Sequence, residues 1–215
     1  MDCIINHEQF QVTLIRKKVK KTRLSVIGNR IIQITSRERL TEKQVQAMMV
    51  TYFDWIMKQL RTRTFLLPNQ MMVVGTIYEL RHDHTLKVPY EIEGPTIIYR
   101  EGGLDVLIKE HLKIIETLAY QLSAPYGVVD IRFRTMKTRW GVCHIQKKRI
   151  VFNTALYVLP QDCITYVIYH ELTHFHVSNH QKPFYEALSL VYPNYRVTQK
   201  QMKEYVLPSF ISKKG

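Results

Sequence analysis

The residues with the clearest chemical use lie between Tyr166 and His180, in the run YVIYHELTHFHVSNH. His170-Glu171-Leu172-Thr173-His174 is an H-E-x-x-H pattern among the apolar residues Ile164, Val167, Ile168 and Leu172. On a helix, positions i and i+4 share a face, so His170 and His174 can aim ring nitrogens at one metal ion. Glu171 follows the first histidine around the helix, where its carboxylate can take a proton from a metal-bound water and return it to a leaving amine. Zn2+ is the expected ion, because imidazole suits it and it needs no redox partner. Burying two histidines and a glutamate on an apolar helix is costly unless they are used or paired. That sets this reading above surface histidines or histidines satisfied within a core.

A catalytic zinc site takes three protein ligands and leaves one position open. His180, six residues past His174, suits a chain that leaves the helix and turns back, and Asn179 suits that turn. Glu186 is the competing third ligand, offered as a carboxylate from the following helix. His176 is only two residues past His174, so it points away while the helix continues.

The elements that must position these groups can be read from periodicity and punctuation. Pro160 precedes a helix starting near Gln161 or Asp162, and Pro183 starts another with Phe184, Ala187, Leu188 and Val191 on one face. Residues 128–134 (VVDIRFR) and 149–153 (RIVFN) alternate as strands, and an apolar stripe from Val106 to Leu122 predicts a helix over about 105–123. Nearer the N-terminus, residues 10–35 read as short strands, with a turn at Gly28-Asn29. Thr41-x-x-Gln44 is a capping box opening a helix whose Met and aromatic stripe, Val45 to Leu60, is assigned to core. Pro68-Asn69 ends that unit, residues 71–100 again look strand-like, and Glu101-Gly102-Gly103 reads as a linker. No internal repeat is evident. The expected division is a β-rich region with one helix at 1–104 and a catalytic domain at 105–215.

Composition narrows the class without choosing a function. The 215 residues are 46% hydrophobic and 11% aromatic, enough for a packed core and unlike a disordered chain. Eight Gly and eight Pro exclude a collagen-like or linker-like polymer. Lys and Arg number 31 against 18 Asp and Glu, a formal charge of +13, which suits nucleic acid, an anionic surface or an acidic substrate. Six cations in residues 16–23 read as the solvated rim of a hairpin. Seven more lie in 131–149 with no acid, interleaved with Phe133 and Trp140, which admits a weak association with nucleic acid, although no nucleic-acid-binding motif is present. No window approaches the ~18 apolar residues of a membrane span, so no membrane partner is expected. The start MDCIINHEQF lacks a basic region followed by an apolar one, and Cys3, Cys143 and Cys163 are odd in number and far apart. Both features predict a cytoplasmic protein.

The sequence resembles a known family over a long ordered stretch. Thr138-Arg139-Trp140-Gly141-Val142-Cys143, Ile150-Val151-Phe152-Asn153, Leu156, Leu159-Pro160, Tyr166 to His174 and Asn179-His180 look like the YgjP-like metallopeptidases, zincins similar in their metal-binding core to the SprT-like proteases. The match is strongest over about 128–190, and the basic N-terminal strands and the helix near Asp54-Trp55-Ile56 also look like the family's front region. The resemblance implies an α+β fold, a strand-rich N-terminal region followed by a zincin-like catalytic domain with an active-site H-E-x-x-H helix. It implies that His170, His174 and His180 bind Zn2+, that Glu171 is the general base, and that the R-W-G segment forms a strand beside the active helix. An extended peptide could pair along that strand, with Arg139, Trp140 and Tyr185 as substrate contacts; alternatively Trp140 and Cys143 simply pack.

Three positions depart from the family pattern. Val142 replaces its second Ser, Gln181 its Ser after N-H, and Phe184-Tyr185 its frequent F-W. None removes a ligand or the base, but substrate contacts stay open, and so does the oxyanion-stabilising group among Tyr185, Tyr192, Arg139 and His176. The expected function is zinc-dependent hydrolysis of peptide or protein substrates. The alternatives are a zinc hydrolase of a nonpeptide substrate such as a nucleotide, for which no phosphate loop is visible, and a nucleic-acid-associated protease acting on DNA-bound proteins.

Overall fold

The alternating residues near the N-terminus do form a sheet. The computed structural model describes residues 1–62, 66–67 and 69–205. Strands β1 (Asp2–Ile5), β2 (Glu8–Arg16), β3 (Arg23–Gly28) and β4 (Ile31–Ser36) lie in the order β1-β2-β4-β3. The central pair β2/β4 is parallel and the outer pairs are antiparallel. Alternate residues Cys3, Ile5, Phe10, Val12, Ile32 and Ile34 are buried with Val45, Met49 and Ile56 of helices α1 (Glu42–Thr51) and α2 (Phe53–Thr62). The basic run 16–23 is exposed for most of its length, but it is not a hairpin rim, because β4 lies between the two strands it connects.

The capping box forms as expected: Gln44 donates its backbone N–H to Thr41 Oγ1 at 3.3 Å, and Thr41 donates its own to Gln44 Oε1 at 2.8 Å. The single helix predicted from there to Leu60 is instead two, parted at Tyr52. Thr51 turns its hydroxyl back onto the Ala47 carbonyl at 2.9 Å, a contact that loosens and bends a helix end. Tyr52 and Trp55, placed in the core stripe by their spacing, stay largely exposed.

A second sheet repeats the first one's topology. Strands β5 (Gln70–Val73), β6 (Thr76–His82), β7 (Tyr90–Glu93) and β8 (Thr96–Tyr99) lie in the order β5-β6-β8-β7, again with a parallel central pair between antiparallel ones. The sequence carries no visible repeat because alternation and tight turns specify such a sheet without fixing residue identities. Glu101-Gly102-Gly103 is not a linker: Gly102 caps helix α3 (Gly103–Ser123), and Gly103 donates its N–H to the Arg100 carbonyl at 2.8 Å. The chain divides into two compact units between residues 67 and 68, ahead of residue 104. The physical reason is packing. Met71, Val73 and Ile97 share a core with Leu107 of α3, and the N–H groups of Val74 and Gly75 donate to the carbonyls of Tyr157 and Val158. Pro68, expected to end the first unit, and the basic tail from Pro208 lie outside the described residues.

The third sheet belongs to the same larger unit. Strands β9 (Asp130–Arg134), β10 (Gly141–His144) and β11 (Arg149–Asn153) lie in the order β10-β11-β9, with β10 antiparallel to β11 and β9 parallel to it. Helix α4 (Gln161–Thr173) packs on β10, and α5 (Lys182–Val191) and α6 (Tyr195–Gln201) pack on α4. Ile131, Ile150, Phe152, Ile164, Ile168, Leu172, Phe184 and Leu188 make one buried cluster. The architecture is α+β, strand-rich at its N-terminal end. No helix among the described residues is long and apolar enough to cross a membrane.

Candidate metal centre

Helix α4 is held by its apolar face. Ile164, Val167, Ile168 and Leu172 are buried, which leaves His170 and His174 on a neighbouring face with ring centroids 5.1 Å apart. Past Thr173 the helix stops: Thr173 donates its hydroxyl to the Tyr169 carbonyl at 2.7 Å, and His176 and Val177 donate N–H groups to the Thr173 carbonyl. The chain then turns back before α5, which has Pro183 in its first turn. That return brings the His180 ring to 4.8 Å from His170 and 4.7 Å from His174. Phe184, fully buried, lies beneath all three, its ring centroid 4.9, 4.7 and 4.8 Å from His170, His174 and His180.

One ring nitrogen from each histidine falls within 4.8 Å of the other two. Four-coordinate zinc with nitrogen ligands would set such atoms about 3.3 Å apart, so only small adjustments separate the group from a metal-binding geometry. His174 donates Nδ1–H to the Val177 carbonyl at 3.1 Å, which leaves its Nε2 lone pair free. The Nε2 atoms of His170 and His180 face each other at 2.9 Å, while His170 Nδ1 is buried without a partner among the described residues. Burial, together with His174 and His180, drives the pKa of His170 down to about 3; burial chiefly lowers that of His174, too. Both imidazoles are therefore neutral, the form a metal requires. The residues present fit a metal ion.

Glu171 is 6% exposed, and burial pushes its pKa up to about 7 against the opposing influence of the Cys143 N–H and the Arg139 charge. Strand β10 packs directly on α4 at this carboxylate. A Cβ added to Gly141 would stand 2.7 Å from both Cγ and Oε1 of Glu171, so a glycine is needed where the strand crosses the acid. The segment leading into β10 is fastened by Asn153, which is fully buried. Its Nδ2 donates to the carbonyls of Met136 and Arg139 at 2.7 and 2.8 Å, and its Oδ1 accepts the N–H groups of Ala155 and Met136. The Asn153 N–H also donates to the Trp140 carbonyl.

These groups open onto a cavity of about 690 Å3. Arg139 and Trp140 line it, together with Gly141 to Cys143, the three histidines and Glu171. Tyr185 does not line it, because the phase of α5 that points Phe184 at the histidines turns Tyr185 against Tyr195, ring to ring at 5.7 Å. Glu186 stands outside the histidine group, with its carboxylate 3.5 Å from Lys182 Nζ. Among the oxyanion candidates, Tyr192 spends its hydroxyl on the Asp162 carbonyl and Thr198, and His176 rests on Tyr126, so Arg139 alone of the four faces the cavity. The sequence reading missed Tyr166, Gln199, Met202 and Lys203 of the lining. Tyr166 stands one turn before His170, and that spacing could have found it. The other three come from α6 and the turn after it, and nothing local in the sequence marks them.

The family model described as YgjP-like, metallopeptidase domain matches residues 20–205. No curated protein matches the chain. Among solved structures, it is similar to the metallopeptidase zymogen of Pyrococcus abyssi abylysin, with 20% identity and a TM-score of 0.32 over 43% of this chain and 87% of that one.

Proposed function

The chain belongs to the family of YgjP-like metallopeptidases, and from that premise we propose that it is a zinc-dependent peptidase whose centre is built by His170, His174 and His180. The convergence of three imidazole nitrogens within 4.8 Å carries the reading. An all-nitrogen set of three ligands with one face open to a cavity is the donor set of a catalytic rather than a structural zinc site. Zn2+ held there supplies a Lewis acid that polarises the scissile carbonyl and makes water acidic enough to be deprotonated near neutral pH.

The protein's own groups do the rest. Glu171 takes the proton from the attacking water and passes it to the leaving amine; a pKa near 7 suits a group that must act as base and then as acid. The Cys143 N–H holds that carboxylate in place from β10. Among the described residues β10 is an edge strand, paired only with β11, so its other side suits an extended peptide laid along it. Arg139 and Trp140, at the entry to that strand, meet the substrate's side chains. All these residues lie within 105–215, the stretch proposed as the catalytic domain. The three cysteines are unpaired, which supports work in a reducing cytoplasm.

Elemental analysis tests the centre: wild type is expected to hold close to one zinc per chain and His180→Ala much less. Unchanged zinc in His180→Ala would remove it from the ligand set. Glu171→Gln is expected to keep the metal and lose peptide hydrolysis, and full activity in that variant would sink the mechanism.

A further inference from the structure

We propose that the cleft selects peptides carrying acidic side chains next to the scissile bond, held by Arg139 and Lys203; this rests on the reading of the protein as a peptidase. Arg139 comes from the segment before β10 and Lys203 from the turn after α6, yet both line the cavity that holds the three histidines. Neither forms an ion pair with a carboxylate among the described residues. Among the described residues the only carboxylate on the lining is Glu171, which is committed to proton transfer. The same lining carries the apolar side chains of Trp140, Val142, Ile145 and Met202. A carboxylate entering there meets an Arg fork and a Lys ammonium in surroundings less polar than water, where such hydrogen bonds strengthen.

The segments on either side of β10 are basic as well. Asp130, the one acid near the 131–149 stretch, is already bound by Arg132 and Arg149. Arg134, Lys137, Lys147 and Lys148 have no carboxylate partner among the described residues, so the positive field draws acidic chains towards the cleft. A nucleic-acid backbone would meet the same charges, so single-stranded DNA is the competing ligand in the test below. Base stacking needs exposed aromatic faces, and Phe133, one of the two aromatics in this stretch, packs on Phe152 at 6.0 Å within the core cluster. What remains is a cavity of about 690 Å3 with two cations in its wall.

The test uses zinc-loaded Glu171→Gln protein, which binds without turning over. Fluorescein-labelled ten-residue peptides, alike except for two Glu, two Ala or two Lys at the centre, are titrated by anisotropy. The Glu peptide is expected to bind about five- to tenfold more tightly than the Ala peptide, and the Lys peptide more weakly than either. Adding Lys203→Glu should abolish or reverse that order, and Lys203→Ala should fall between; Lys203 is exposed, so neither change threatens folding. Raising the salt should compress the ratio. Equal affinity for the three peptides, an order indifferent to residue 203, no binding of any peptide, or tighter binding of a single-stranded DNA 20-mer than of the Glu peptide each overturns the proposal. Hydrolysis of the same peptides by the wild type separates the two readings. No hydrolysis of any peptide counts against the peptidase, whereas equal hydrolysis of all three counts only against charge selection.

Discussion

Gly141 lies so close to Glu171 that a methyl group on its Cα would stand 2.7 Å from the acid's Cγ and Oε1. The strand and the active helix are thus in contact through a residue with no side chain, and the position of the carboxylate is set by backbone. Gly141→Ala should fold, because the displaced atoms belong to a side chain, but it must push Glu171 off its hydrogen bond with Cys143. A displacement of about 1 Å at a reacting group costs on the order of a hundredfold. The expected result is a kcat lower by about that factor with zinc content unchanged, measured by peptide hydrolysis beside elemental analysis.

Phe184 supports all three histidine rings at nearly equal distances, so it should govern how well they converge. Phe184→Ala removes a fully buried ring and is expected to cost about 3–5 kcal/mol of stability. It should also weaken zinc binding by about ten- to a hundredfold, the usual effect of losing a group that orients metal ligands. Phe184→Leu keeps most of the volume and should lose much less of both. Chelator competition reads the affinity and denaturant unfolding reads the stability. An unaltered zinc affinity in a folded Phe184→Ala protein would mean that the rings are held by other contacts.

The sequence made some of these relations legible and hid others for physical reasons. The i, i+4 spacing of His170 and His174 and the capping box at Thr41 are local signals that the structure bears out; the strand at 149–153 forms too, but Ile150 to Asn153 are all buried, so its residues do not alternate between core and solvent. Tyr185 leaves the cavity because consecutive helical residues differ by about 100°, and on α5 that step carries its ring against Tyr195. The linker expected at Glu101-Gly102-Gly103 shows the same limit, since glycines that begin a helix read like glycines that join domains. Lys203 shares a cavity wall with Arg139, and Asn153 bonds the Arg139 carbonyl, only through tertiary packing across many residues of sequence, and no periodicity announces such a meeting.

Asn153 gives a prediction of that kind. Its side chain satisfies two carbonyls and two N–H groups around the segment that carries Arg139 and Trp140. Asn153→Ala leaves those buried groups without partners, at a cost of about 2–4 kcal/mol. The loosened segment should lower kcat/KM more than zinc content. Asn153→Asp, which keeps the shape but loses both donors, should rescue neither. Thermal melts with parallel kinetics check this, and an Asn153→Asp protein with wild-type stability would contradict it.

The last prediction concerns pH and the protein stripped of metal by chelation. Glu171 titrates near 7 in the folded chain against an ordinary value of 4.5, so between those limits the folded state holds a proton that the unfolded state has lost. Its contribution to stability is therefore fully present below about pH 4.5 and is lost as pH rises through about 7, a difference of about 3 kcal/mol. His170 has the opposite sign. Held neutral down to about pH 3 against an ordinary 6.5, it destabilises the fold as pH falls through that window, because the unfolded chain takes the proton first. Between about pH 4.5 and 6.5 the glutamate's slope runs against those of His170 and His174, whose pKa burial lowers as well, so the metal-free protein should lose less stability with rising pH there than the glutamate alone would give. Above that range only the glutamate acts. Glu171→Gln removes its effect, so the variant should gain stability relative to the wild type on going from pH 5 to pH 8. Thermal melts of both metal-free proteins at the two pH values measure this directly. A stability difference that does not change with pH would show that Glu171 is not held protonated by its burial.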